Sequence, residues 1–186
     1  QRAGTAKPCP RADRTMLESV YSWLDSRRPL ATELYVIAPE YVPVGVTAAV
    51  ELVDSNQRDA VLDMVSEVIR RHLWPLAPGG PDGQGWPLGR ALDDRLIETA
   101  IARVPGVRSV APVRLFQRST RGRNWVPVAE DRTGRGLITL SPWQLPELAM
   151  LSVGVGSTSS TSLPPGAEGA GSGAGGLAIP VVPELC

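Results

Sequence analysis

The sequence predicts an α+β fold: a small, mostly antiparallel sheet with two to three helices packed on one face, and an extended low-complexity C-terminal tail. Three observations predict it. Stretches of helical periodicity are interleaved with stretches of strand-like alternation, the 186 residues and 42% hydrophobic content suit one packed core, and residues 156–176 contain hardly any large apolar side chain. We therefore assign 1–13 to a linker from a preceding region, 14–155 to the domain, and 156–186 to the tail.

The first helix is predicted to begin near Thr15. With Glu18 three residues later, Thr15 fits the pattern of a capping box, in which each side chain satisfies a backbone N–H group of the first turn. One apolar stripe follows at helical spacing, formed by Leu17, Val20, Tyr21 and Leu24. Pro29 ends the helix.

Extended chain is predicted from 33 to 53. One face of its second half is apolar: Val42, Val44, Val46, Ala48, Val50 and Leu52. Either a hairpin turns at 39–41 or one long strand is kinked there. Because Pro39 and Pro43 cannot donate to a sheet, this segment is expected at an edge or a bulge and not in the centre.

Two further helices and several short strands follow. The second helix begins after the capping cluster 54–56, carries a wide apolar face, and ends at Trp74. A loop rich in glycine and proline spans 75–89, with Trp86 expected to fold back as an anchor, and a third helix runs from about 91 to 104. Strands are predicted at 107–117, 125–128, 137–140 and 151–155.

Composition excludes several classes of protein. Nineteen basic and nineteen acidic residues give a formal net charge of zero, so a dedicated nucleic-acid or anionic-membrane surface is not indicated. No apolar run is long enough to span a bilayer. Cys9 and Cys186 are too few for a disulfide framework or a four-ligand zinc site, and we expect free thiols. Since the chain opens at Gln1 in a polar stretch, we expect it to be the trailing part of a longer polypeptide.

No constellation of residues predicts catalysis, a metal or a cofactor. The 79–89 loop lacks the phosphate-binding glycine patterns. His72, the only histidine, has no nucleophile and orienting carboxylate at recognisable spacing, so a structural role is expected. Asp93 and Asp94 are adjacent on a helix, point about 100° apart, and are expected to act as N-terminal charges without sharing a site. We therefore expect that the protein is not an enzyme.

The remaining candidate residues are ones that could contact another macromolecule. Arg118, Arg121 and Arg123 with Trp125 suggest, as an alternative function, a nucleic-acid or polyanion binding module over 118–135, although nearby acidic residues favour a solvated hairpin loop. Trp86 and Trp143 lie in proline-rich loops, where a large ring can pack against another subunit. In the tail, Ile179, Val181 and Val182 form a strand-like peptide that could dock on a neighbour's sheet edge or groove.

The order of several short motifs is similar to that of a known family. They are Asp25-Ser-Arg-Arg-Pro-Leu30, Val36-Ile-Ala-Pro-Glu-Tyr-Val-Pro-Val44, Leu73-Trp-Pro-Leu76, Gly79-Gly80, Gly85-Trp-Pro-Leu-Gly-Arg90 and Val104-Pro-Gly-Val-Arg-Ser-Val110. Over about 14–117, with a weaker echo at 142–148, the sequence resembles the C-terminal part of the baseplate J-like proteins of contractile phage tails and phage-tail-like injection systems.

The resemblance implies a structural wedge subunit of bacterial origin. Such subunits assemble in the bacterial cytoplasm, in two copies with one related wedge protein, around a hub and spike. Their C-terminal domains help to link neighbouring wedges into a ring, with possible contacts to hub or sheath-initiating subunits. The family brings no catalytic residues, so none are assigned here. The long tail, 156–186, is more typical of the extracellular injection systems than of phages.

Overall fold

The computed structural model describes residues 9–119 and 124–156. The predictions for Arg121, Arg123, Cys186 and the tail peptide fall outside these residues. The elements, in chain order, are α1 (Arg14–Asp25), β1 (Glu40–Leu52), a 3-10 turn (Ser55–Gln57), α2 (Arg58–His72), β2 (Leu92–Asp93), α3 (Asp94–Ala102), β3 (Val107–Val110), β4 (Arg114–Arg118), β5 (Trp125–Pro127), β6 (Leu137–Ile138) and β7 (Gln144–Val155). The predicted α+β class is confirmed.

Strand β1 is the centre of a five-stranded sheet. β7 pairs with it in parallel on one side, while β3 and β4 pair with it antiparallel, end to end, on the other; β5 extends the sheet beyond β4. Val46, for example, lies between Leu115 of β4 and Leu151 of β7. β2 and β6 form a separate two-stranded antiparallel sheet.

The central position of β1 corrects the expectation of an edge, whereas the register shift between Val44 and Gly45, next to Pro43, agrees with the alternative of a bulge. Pro43 is compatible with the central position because β4 pairs with β1 only from Val44 onwards, so at Pro43 the strand has a neighbour on the β7 side alone. The missing N–H group therefore interrupts no antiparallel ladder. The hairpin considered for 39–41 does not form, because β1 begins at Glu40 and 33–39 lies outside the strands.

The two faces of β1 are covered in different ways. On one face, the predicted apolar residues Val44, Val46, Ala48 and Val50 pack with the buried side of α2 and α3 in the main core. On the other face, Gly45 lies under large side chains: a Cβ atom there would meet the Met150 side chain, with Phe116 Cβ at 3.1 Å and Trp125 Cε3 at 3.3 Å. Both faces of the strand are consequently buried.

Helix α1 differs from the other two helices because none of its residues is buried. Its capping also differs from the predicted Thr15–Glu18 box. The Asp13 side chain caps the helix by accepting a hydrogen bond from the Met16 N–H group at 2.7 Å. Glu18 instead pairs with the Arg14 guanidinium at 2.6 Å.

The glycine-rich loop folds back on the core through Trp86. The Trp86 ring is buried, its Nε1–H group donates to the Arg90 carbonyl at 3.2 Å, and its centroid lies 5.9 Å from that of the His72 ring. Gly85 has a φ of +91°, and a Cβ atom there would collide with the Pro75 carbonyl. The anchoring role predicted for Trp86 is confirmed.

Candidate functional site

Residues 12–39 begin and end close to the start of β1; we call this segment the arm. At its start, the Tyr41 hydroxyl donates to the Pro10 carbonyl at 2.5 Å, and the Arg11 guanidinium lies over the Tyr41 ring, 4.8 Å from its centroid, and 3.3 Å from Glu147. At its end, Glu40 begins β1. Both ends of the arm are thus fixed at the start of the central strand.

The helix of the arm presents its apolar side chains to solvent. Met16 is 60% exposed and Trp23 is 59% exposed, although the Arg27 guanidinium stacks on the Trp23 ring at 4.1 Å from its centroid; Val20 and Tyr21 are exposed as well. An isolated helix of 12 residues is marginal in water, and most helices in proteins are stabilised by packing an apolar face. Within the described residues, α1 buries no residue fully, although Leu17 and Leu24 are half-buried.

The second half of the arm also exposes apolar side chains. Leu30 is 99% exposed, Tyr35 is 77% exposed, and Ile37 is exposed too. Single apolar residues on a surface need no explanation, but many on one short segment indicate a site of protein–protein contact. The arm is therefore the principal candidate for an interaction surface.

The three tryptophans predicted to contact partners occupy different environments. Trp86 is buried in the core of its own chain and has no ring surface to offer, which corrects its assignment as an interaction residue. Trp125 is half-buried against the sheet face over Gly45. Trp143 is 49% exposed, and its Nε1–H group donates to Glu40 at 3.3 Å, so it lies at the base of the arm.

Trp23 is an exposed tryptophan that sequence reasoning did not select. Apolar stripes on helices usually face the core, so an amphipathic helix alone does not indicate a contact surface. A signal was nevertheless present: Met16 and Trp23 lie outside the stripe of Leu17, Val20, Tyr21 and Leu24, so the apolar surface is wider than one core-facing side requires.

The arginine-rich segment is described only in part. Arg118 is exposed at the end of β4, where it pairs with Trp125 of β5, whereas Arg121 and Arg123 fall outside the described residues. Arg135 is engaged by the Asp93 carboxylate. The tail residues Ile179, Val181 and Val182 also lie outside the described residues.

The strongest cluster of titratable groups lies at the start of α3. Asp93 caps the helix, accepting from the Arg95 N–H group at 3.0 Å and from the Arg135 guanidinium. Asp94 is buried and accepts from the Gly136 N–H group at 2.6 Å. The capping role of Asp93 agrees with the predicted N-terminal charge.

The two adjacent carboxyl groups bind different partners: Asp93 accepts from the Arg135 guanidinium, and Asp94 accepts from the Gly136 N–H group. Burial raises the pKa of Asp94, whereas for Asp93 burial is outweighed by the hydrogen bonds from Arg135 and Arg95, which lower its pKa. Asp93 precedes the helix in extended conformation and caps it, while Asp94 is the first residue of α3.

This carboxyl pair joins two parts of the structure. It ties the start of α3 to the 131–137 turn, where Leu137 of β6 pairs with Asp93 of β2. A cleft of about 300 Å³ adjoins it, but the free Oδ1 atom of Asp94 is closed to solvent. No group of three or more potential metal ligands occurs within residues 9–119 and 124–156.

His72 and Cys9 show no sign of activation. Burial, with the nearby Arg90 charge, lowers the pKa of His72, so its imidazole is neutral at pH 7. Burial and the Glu147 carboxylate raise the pKa of the free Cys9 thiol to about 11, so it is protonated. Within the part of the chain that the structure describes, no helix combines the length and the apolar character needed to cross a membrane.

Comparison with known proteins gives no assignment: no protein-family model matches this chain, and no curated protein matches it either.

Proposed function

We propose that this chain is a structural assembly module, a wedge component of the baseplate of a contractile injection system or phage tail, which links wedge subunits into the ring around the hub. The observation that carries the proposal is the arm, an amphipathic helix and an extended segment whose apolar side chains are exposed. The order of the baseplate-like motifs supports the finer assignment to a wedge.

The energetics of α1 favour a partner. Burial of a large apolar side chain contributes about 1.5–3 kcal/mol, so covering Met16, Tyr21 and Trp23 would stabilise a complex and the helix together. Arg14 is already paired with Glu18, and Arg28 with Asp25. Because these charges are neutralised within the arm, the partner surface is expected to be an apolar groove, selected by shape more than by charge.

The sheet supplies a fixed base for this contact. Both ends of the arm attach to β1, which is held on both sides by neighbouring strands, and Trp143 continues the exposed surface at the base. A contact made by the arm is therefore transmitted to the whole domain. Attachment of a contact surface to the central strand suits a subunit that holds its neighbours in a ring.

Particle assembly tests the proposal. In cells that produce the particle, Trp23→Ser should lower the yield of sheathed particles seen by electron microscopy, while the purified chain keeps the near-ultraviolet circular dichroism of its core. Ser22→Ala, in the same turn of α1, is the matched control and should assemble normally. Equal yields from the two variants would contradict the role of the arm, and full particles in cells lacking this chain would contradict the baseplate assignment.

The alternative, polyanion binding through 118–135, has less support. Trp125 packs on its own sheet, and Arg135 is paired with Asp93. Binding of single-stranded DNA on filters at low and high salt distinguishes the two functions, since phosphate contacts produce a steep salt dependence. We expect no such dependence for this chain.

A further inference from the structure

The outer edge of β7 carries backbone groups with no strand beside them. β7 pairs with β1 along its whole length, and within residues 9–119 and 124–156 no other strand pairs with it. Among these residues, the backbone of β7 bonds outwards only at Gln144, whose carbonyl accepts from the Gly89 N–H group at 3.1 Å. The rest of this edge is a template for a further strand.

The direction of the backbone groups along this edge is fixed. The Gly156 N–H group donates to the Val50 carbonyl at 3.1 Å, so it points towards β1. Directions alternate along a strand, so the backbone groups of Ser152 and Gly154 also face β1. The residues between them point their N–H and C=O groups outwards: Leu151, Val153 and Val155.

The core is incompletely covered along the same edge. Ala48 and Val50 of β1 are at most 1% exposed, and their partners in β7, Val153 and Val155, lie on the same face of the sheet. Val153 is nevertheless half-buried, and Val155 is 39% exposed. A strand added at this edge would complete the burial if it carried apolar side chains on the core face.

We propose that this edge pairs with the same edge of a second copy of the chain, with the two β7 strands antiparallel about a two-fold axis at Val153. Val153 then faces Val153 of the second copy, and Leu151 faces Val155 of the second copy. Each outward N–H group thereby meets an outward carbonyl. Because residues bonded directly to each other share a face, the apolar side chains of each copy extend the core face of the other.

The chemistry of the edge favours a second copy as the partner. Edge strands that stay unpaired commonly carry a charged residue or a proline, whereas 148–155 contains neither. Since the net charge of the chain is also zero, two copies can approach without repulsion. The edge needs a strand with apolar residues at alternate positions, and the stretch from Leu151 to Val155 has this pattern itself. The inference goes beyond the proposed function because it concerns a surface other than the arm.

Amide hydrogen exchange of the purified chain at several concentrations tests the proposal. A single pair of strands is a small interface, so we expect a dissociation constant on the order of 10 μM. Raising the concentration from about 1 μM to about 1 mM should therefore slow exchange of the outward amides at least about tenfold, while Ser152 and Gly154 change little.

Two results of this experiment would overturn the proposal. Fast exchange of the outward amides at every concentration means that the edge stays unpaired. Protection that does not depend on concentration means that the edge is covered within one chain. The readout does not involve particle assembly, so it can fail while the proposed function stands.

Two variants at Val153 give a matched comparison. Val153→Pro removes the outward N–H group at the centre of the pair but no bond to β1, whereas Val153→Ala keeps that group. In sedimentation velocity at high concentration, the proline variant should be monomeric and the alanine variant should still dimerise. Equal sedimentation of the two overturns the pairing of strands. The exchange experiment uses the unmodified chain, so it decides the question even if the proline variant does not fold.

The variant Trp23→Ser separates this contact from self-association through the arm. A dimer that persists in Trp23→Ser agrees with pairing at β7. A dimer that is lost in Trp23→Ser but retained in Val153→Pro assigns the contact to the arm and overturns the proposal.

Discussion

The Tyr41 hydroxyl and the Pro10 carbonyl lie 2.5 Å apart, and their hydrogen bond joins the segment before the arm to the strand after it. Both ends of the arm are consequently held at the start of β1. Its orientation depends on contacts at its base, because α1 itself buries no residue.

Tyr41→Phe should loosen this base without unfolding the domain. The variant loses one hydrogen bond, about 1 kcal/mol, but keeps the ring on which Arg11 stacks. Limited proteolysis should therefore cut within 12–39 faster than in the wild type, with little change in the thermal midpoint of the core. An unchanged cleavage rate would mean that the hydrogen bond does not hold the arm.

Gly45→Ala should destabilise the domain by about 1–3 kcal/mol, because the new methyl group meets Met150 and lies close to Phe116. Gly154→Ala is the matched control, since nothing lies within 4 Å of its Cβ position. Urea unfolding of both variants measures the difference. Equal free energies of unfolding would show that the face over Gly45 is loosely packed.

The Asp93–Asp94 pair predicts a specific pH dependence. Because the folded pKa of Asp94 is raised, its contribution to stability is complete below the unfolded pKa and is lost as the pH rises through the folded pKa. Asp94→Asn should keep the hydrogen bond from the Gly136 N–H group without this loss.

The advantage of Asp94→Asn over the wild type should therefore grow as the pH rises from about 4 towards neutrality. Urea unfolding across this range measures it. A difference that stays constant with pH would contradict the raised pKa of Asp94. In Asp93→Asn, by contrast, stability should fall at neutral pH, because the lowered pKa of Asp93 reports stabilisation of its charged form.

Local patterns in the sequence predicted the fold class and the core face of β1. The alternation that predicted a buried face can be recognised within a few neighbouring residues, and the structure confirms that Val44, Val46 and Val50 lie in the core. The central position of β1 was not predictable in this way, because its parallel partner β7 lies about a hundred positions later in the chain.

The candidate site was harder to predict for the same reason. The exposure of Trp23 depends on the absence of a packing partner for α1, and the burial of Trp86 depends on the return of a loop to the core. Asp93 is the extended residue before α3 and not part of its first turn, because the helix begins a few residues later than the sequence predicted.

Hydrogen exchange of the α1 amides is the most direct test of the arm as an assembly surface. In the isolated chain, α1 should exchange almost as fast as an unfolded peptide, because none of its residues is fully buried. In the purified particle, the same amides should exchange at least about a hundredfold more slowly, as expected for a helix packed in an interface. Equal rates in the two states would contradict the account.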